Sequence, residues 1–218
     1  ICVSRTSKLR INSLNANTAR VGPCNKFSHV ILKRRGPSPV FFLFLLKYSS
    51  MQLSATEATQ VFQQVESFIL ENGYNIVDHD FSRPWGGFFV LDESQAAQFA
   101  TQFFPGISLD TIQITQKLSP KFLVVAPNKR LSWQYHFRRA ELWSVTCGPI
   151  GVAISDTDKQ FEPGIYQVNN IITLPVGQRH RLVGLDQWGV VAEIWQHTDA
   201  AHPSDESDIV RLQDDFGR

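Results

Sequence analysis

Between Phe122 and Trp195 the chain breaks into seven short runs rich in β-branched and aromatic residues. They are FLVVA (122–126), SWQYHF (132–137), LWSVTC (142–147), IGVAI (150–154), IYQV (165–168), IITL (171–174) and GVVAEIW (189–195). Turn signals separate them, namely Pro127-Asn128, Gly148-Pro149, Pro163-Gly164 and Pro175-Val176-Gly177. None of these runs is long enough to be a helix that buries one face. Many short strands at close spacing predict an antiparallel sandwich or barrel.

The residues before this tract read differently. Ser54-Ala55-Thr56-Glu57 has the spacing of a capping box, and Val61, Val65, Phe68 and Ile69 recur at helical period up to Gly73. A second helix is expected over Glu93–Phe103, stopped by Pro105-Gly106. The tail from His202 to Arg218 is charged and reads as a short helix or an arm. Charge divides the chain further upstream. Residues 1–50 hold nine Lys+Arg and no acid, whereas the following 168 residues carry a net charge of −8. An acidic body argues against nucleic acid as a partner, because phosphate backbones need clustered cations. Residues 1–50 read as a leader outside the domain: either a targeting segment or an untranslated stretch with initiation at Met51, the second being favoured. The apolar run Val40–Leu46 falls far short of the roughly 20 residues of a membrane span. Cys147 is the one cysteine beyond residue 50, which suits a reducing, cytoplasmic compartment. The expected organisation is therefore a leader (1–50), a helical extension (51–82) and a β domain (83–218).

Two clusters carry chemistry. In the first, Gln134 and His136 lie two apart on one run and so face the same side, and Glu141 opens the next run. In the second, the turn Pro175-Val176-Gly177 delivers His180 to the start of another strand. Two imidazoles, a carboxylate and an amide oxygen converging inside a barrel would form an N/O metal site. Zinc, iron, manganese, cobalt and nickel all accept such ligands. A single histidine of this kind would more often be a hydrogen-bonded polar group at a strand end.

These clusters resemble the paired motifs of the cupin family, G-x5-H-x-H-x3–4-E-x6-G and G-x5-P-x-G-x2-H-x3-N. Asn128 stands at the opening Gly and tolerates the left-handed conformation that position uses. Gln134 stands at the first His; His136, Glu141 and Gly148 match. In the second motif Pro175, Gly177 and His180 match, and Gly184 replaces the Asn. The resemblance implies a mainly β fold, a cupin jelly-roll barrel, here with one or two N-terminal helices. The stretch LSWQYHFRRAELWSVTCG is similar to the cupin domain of type II mannose-6-phosphate isomerases. Arg83-Pro84-Trp85-Gly86 and the closing Glu206–Arg218 resemble two further pieces of that domain. Trp195, where the family has Gln, and Phe137 and Arg138, where it often has His, depart from the pattern.

The resemblance implies a metal-dependent aldose–ketose isomerase acting on a phosphosugar, mannose 6-phosphate or a seven-carbon relative. Its divalent metal would sit on Gln134, His136, Glu141 and His180. Glu193 and Asp208 are the candidate general bases. Arg211, with Arg83 or Arg218, would hold the phosphate, and Trp85, Trp133 and Trp143 read as core or sugar-stacking residues. A homodimer is the expected assembly. The competing reading is a non-catalytic cupin that binds a sugar or nucleotide-sugar in polysaccharide synthesis, and a third keeps the metal but changes the reaction.

Overall fold

The computed structural model describes residues 51–217. The expectations for residues 1–50 and for Arg218 lie outside the described residues. Among the described residues no helix is long and apolar enough to cross a membrane.

Two antiparallel sheets make the molecule. The strands are β1 (Ile76–Arg83), β2 (Gly86–Leu91), β3 (Lys121–Val125), β4 (Trp133–His136), β5 (Arg139–Cys147), β6 (Ile150–Ser155), β7 (Gly164–Tyr166), β8 (Ile171–Leu174), β9 (Arg179–Gly184), β10 (Gly189–His197) and β11 (Ile209–Gln213). One sheet has the order β1-β2-β3-β10-β5-β8 and the other β11-β4-β9-β6-β7. All seven runs expected as strands are strands. The mainly β, cupin-type barrel is the architecture found.

Side-chain parity explains the layers. On β3, Phe122 and Val124 join one apolar cluster, while Leu123 and Val125 join another. On β10, Val190, Ala192 and Ile194 go with the first and Val191 with the second. The first cluster is closed by two helices, α1 (Ala58–Glu71) and α2 (Ala96–Phe103), laid on the outer face of the six-stranded sheet. The second fills the space between the sheets. Strands buried on both faces read as continuous apolar runs, which is why FLVVA and GVVAEIW lack alternation.

Helix α1 ends as expected. Gly73 has φ +81°, its N–H donates to the Leu70 carbonyl, and the Tyr74 N–H reaches back to Ile69, the paired bonds of a Schellman cap. Its start corrects the capping-box reading: Glu57 is the N-cap residue and no side chain caps it. Ser54 instead exchanges hydrogen bonds with the Gln64 side chain. The second helix begins with a 3-10 turn over Glu93–Gln95, capped by the Asp92 carboxylate, and a short α3 (Leu109–Ile112) follows it.

Two expectations on organisation are corrected. Residues 51–82 are not only helical, because β1 lies among them and pairs with β2. The 82/83 boundary falls inside β1, just before its last residue, and Val61, Val65 and Ile69 share one core with Phe122 and Ala192. The tail is neither a helix nor a free arm. After a 3-10 turn (Glu206–Asp208) it adds β11 to the edge of β4, with Arg211 opposite Gln134 and Ile209 opposite His136.

Candidate metal centre and its cavity

Neighbouring strands bring the two sequence clusters together. Gln134 on β4 is directly opposite His180 on β9. Across the barrel, Glu141 on β5 is opposite Trp195 on β10, and Trp143 is opposite Glu193. Glu193 is in turn opposite Lys121 on β3. Because Glu141, Trp143, Glu193 and Trp195 share one parity, all four point into the barrel and line a cavity of about 70 Å³.

His136, Glu141 and His180 are all buried, and one ligand atom from each lies within 4.8 Å of the others. His180 Nδ1 is 2.9 Å from the Gln178 carbonyl, which can only accept, so Nδ1 carries the proton and Nε2 presents a lone pair. That lone pair faces Glu141 Oε2 at 3.2 Å, and both atoms lack a hydrogen-bond partner. His136 Nε2 is 3.1 Å from Glu141 Oε1 and 3.2 Å from Arg139 Nη2, a group that only donates. Buried acceptors set against one another are costly unless a cation or proton lies between them. The donor set, two imidazole nitrogens and a carboxylate, fits a divalent metal of the zinc or iron type. Gln134 stands beside it, its side-chain oxygen oriented by a hydrogen bond from Ser132 Oγ.

Electrostatics separates two of the acids that line the cavity, Glu141 and Glu193. Burial pushes Glu141 up, but His136 and Arg139 outweigh it and hold the carboxyl well below the usual range. Burial and the neighbouring Glu141 charge raise Glu193 to about 7, against the opposing pull of Lys121 and Arg139. Trp143 Nε1 donates to Glu193 at 3.0 Å. Burial lowers Lys121, partly offset by Glu193 and Glu206. Burial also lowers His136, against the pull of Glu141. The two carboxyl groups are thus shifted in opposite directions, Glu141 down and Glu193 up.

The other expected site residues divide. Arg83, Trp85 and Arg211 line the cavity; Arg83 Nε and Arg211 Nε are both buried without a hydrogen-bond partner, and Arg83 Nε lies 2.8 Å from the Asp80 carboxylate as an ion pair. Trp143 lines it too, but Trp133 points the other way and donates to the Asp158 carbonyl. Asp208 is placed away from the cavity wall. Its carboxylate accepts from the Phe137 and Arg138 N–H groups and from Ser204 Oγ, so it clamps the tail to β4 and has no spare oxygen for a base.

Sequence reasoning reads Arg138-Arg139 as a solvated or structural pair and gives Lys121 no role. Arg139 is 2% exposed, donates from Nε to Glu141 Oε1 at 2.8 Å and from Nη1 to Ser204 Oγ, and its guanidinium lies 3.7 Å from the centre of the Trp195 ring. The signal was present, since residues 139 and 141 are two apart on one strand. Lys121 Nζ lies 3.4 Å from the centre of the same ring, and its parity matches Leu123 and Val125.

A two-sheet barrel with a His/Glu cluster opening into its interior defines the cupin class. Residues 92–214 match the family described as Mannose-6-phosphate isomerase C-terminal, and the chain belongs to that family. It is 27% identical over 155 residues to "Mannose-1-phosphate guanylyltransferase" of Salmonella montevideo, covering 71% of this chain and 27% of that one. It is 30% identical over 125 residues to "Alginate biosynthesis protein AlgA" of Pseudomonas aeruginosa, covering 57% of this chain and 24% of that one. The chain thus spans about a quarter of these relatives' length. Among solved structures, a Cupin 2 conserved barrel domain protein from Salinispora arenicola aligns at TM-score 0.32 and 22% identity, covering 38% of this chain and 65% of that one. The capsular polysaccharide assembling protein CapF of Staphylococcus aureus aligns at TM-score 0.40 and 16% identity, covering 64% of this chain and 34% of that one.

Proposed function

We propose that this chain is a metal-dependent aldose–ketose isomerase for a phosphosugar. The observation that carries the reading is the opposed pair His180 Nε2 and Glu141 Oε2, 3.2 Å apart and unpartnered in a polar cavity. A divalent metal held by His136, Glu141 and His180, with Gln134 beside them, would neutralise negative charge growing on the two substrate oxygens.

The remaining work falls to side chains of the chain itself. Glu193 as carboxylate takes the C2 hydrogen as a proton, and the electron pair left behind forms the C1–C2 double bond of a cis-enediolate. The proton is returned to C1, while the O2 hydroxyl proton moves to O1, leaving a carbonyl at C2. A base near 7 suits this exchange at neutral pH. Lys121, opposite Glu193 on the ladder, supplies positive charge beside the developing enediolate. Arg211 and Arg83 at the cavity wall hold the phosphate.

A second reading is favoured by Trp195, which narrows the cavity: a cupin that binds a sugar or nucleotide-sugar without turning it over. Metal content of the full chain, beside His136→Ala and His180→Ala, is measured first. Interconversion of mannose 6-phosphate and fructose 6-phosphate, and of shorter and longer phosphosugar pairs, is then assayed with the metal found. Metal lost in both variants and isomerisation lost in Glu193→Gln support the isomerase. A folded chain that takes up no metal sinks it, and metal with tight sugar binding but no turnover leaves the binding module.

A further inference from the structure

The buried guanidinium of Arg139 donates in two directions. Nη1 reaches Ser204 Oγ at 2.8 Å and the Asp205 carbonyl at 3.2 Å, both in the connection between β10 and β11. On the other side Nε donates to Glu141 Oε1 at 2.8 Å, and Nη2 stands 3.2 Å from His136 Nε2. A guanidinium only donates, so Glu141 Oε1 and His136 Nε2 both meet it with lone pairs. Arg139 therefore already engages two of the three candidate metal ligands. The Trp195 ring, with its centre 3.7 Å away, adds a further contact that holds the group in place.

One of these engagements excludes a metal. An imidazole nitrogen has a single lone pair in the ring plane, so His136 Nε2 serves either Nη2 or a metal ion. Glu141 is less restricted, because a carboxylate has spare acceptor sites and its Oε2 stays turned to His180 Nε2 at 3.2 Å. Charge works in the same direction. A fixed guanidinium beside two ligands repels a divalent ion placed among them, and burial of His136 and Glu141 leaves that repulsion weakly screened.

We propose that Arg139 is a built-in competitor of the metal: it serves as the counter-cation of Glu141 and His136, and Nη2 must leave His136 for a metal ion to be held there. This rests on the metal centre of the reading given above and adds what governs its loading. Ser204 and Asp205 do not line the cavity, yet they set how firmly the guanidinium is held. Metal affinity is thereby tied to the β10–β11 connection. The sign of the effect separates this role from an ordinary supporting one. A neighbour that merely orients a ligand strengthens metal binding, and its loss weakens affinity by about 10- to 100-fold. Loss of a competitor tightens it.

Zinc affinity of the full chain is measured at neutral pH by competition with a chromophoric chelator. The variants are Arg139→Gln, Ser204→Ala and each of these combined with His180→Ala. Arg139→Gln should bind zinc at least tenfold more tightly than wild type. Ser204→Ala keeps the charge but removes one of the two holds on Nη1, and should bind about threefold more tightly; His180→Ala should abolish both gains. An Arg139→Gln chain that folds only with zinc also supports the proposal, because the metal has then replaced the guanidinium as counter-cation. Unchanged or weaker affinity in a folded Arg139→Gln overturns it. If that variant folds under neither condition, Ser204→Ala decides by the same criterion. Zinc taken up by Arg139→Gln but not by wild type supports the competition and sinks the isomerase reading. No uptake by either folded chain sinks the metal centre, and this inference with it.

Discussion

Glu193 is a buried acid whose cost to the fold can be measured. Its folded-state value of about 7 stands some 2.5 units above the ordinary 4.5, chiefly through burial and the Glu141 charge. Below pH 4.5 both folded and unfolded chains hold the proton and the residue is neutral to stability. Between 4.5 and 7 the unfolded chain releases it while the folded chain keeps it, so stability falls as pH rises and levels off above about 7. At about 1.36 kcal/mol per pH unit the loss comes to a little over 3 kcal/mol. Glu193→Gln keeps the shape and can still accept from Trp143, but it also takes from Lys121 its cross-strand counter-charge. The net gain at pH 8 is thus about 1–3 kcal/mol, and near zero at pH 4.5. The assay is urea unfolding of chelator-treated wild type and variant at matched pH. The comparison must be made pairwise, because His197, lowered by burial to about 4, makes wild type lose stability as pH falls from 6.5. A difference that does not change with pH, or a variant less stable at pH 8, would refute the argument and mean that Lys121 keeps Glu193 charged.

Three further outcomes are expected. Adding zinc should raise the melting temperature of wild type and should not move that of His180→Ala, read by differential scanning calorimetry across a zinc titration. Asp208→Ala leaves the Phe137 and Arg138 N–H groups and the Ser204 hydroxyl without their acceptor and should cost about 2–3 kcal/mol, seen in urea unfolding and in faster amide exchange over Ile209–Gln213. Gly184→Ala places a methyl 2.0 Å from the Ala126 carbonyl oxygen, a backbone atom that cannot move aside, and should cost about 3 kcal/mol in the same measurement.

The strands were legible where both of their faces are buried. FLVVA, LWSVTC and GVVAEIW are apolar on either parity because one face packs on helices and the other fills the barrel. β1 and β11 escaped notice for a matching reason, whereas β2 was missed although it is mostly buried. β1 is an edge strand with most residues exposed, so DHDFSR carries no apolar pattern, and β11 is a half-buried strip without a fully buried residue, whose pairing to β4 is fixed by the Asp208 clamp. Asn128 behaves as its residue type suggests, with φ +58°. Gly184 shows the limit of motif comparison: the family's Asn has no room here, because the Gly184 N–H donates to the Lys129 carbonyl and its Cα lies against Ala126.

The site was legible in its ligands and illegible in its charge balance. Motif spacing names the candidate metal-binding residues because spacing sets which strand ends meet. It does not say which cations a buried carboxylate recruits, since those arrive from other strands by parity. Glu141 needs Arg139 two residues before it on its own strand, and Glu193 needs Lys121 from β3, about seventy residues away in sequence. Trp195 completes the pattern with both cations close to its ring centre, at 3.4 and 3.7 Å, a role that no single-strand motif contains. The departure from the family at position 195 is thus tied to the residues on either side of it. A Gln there would leave two buried cations without the ring that both contact, so Lys121, Arg139 and Trp195 have to be varied as a set, and a triple-mutant cycle among them should show coupling well above the few tenths of a kcal/mol expected of independent sites.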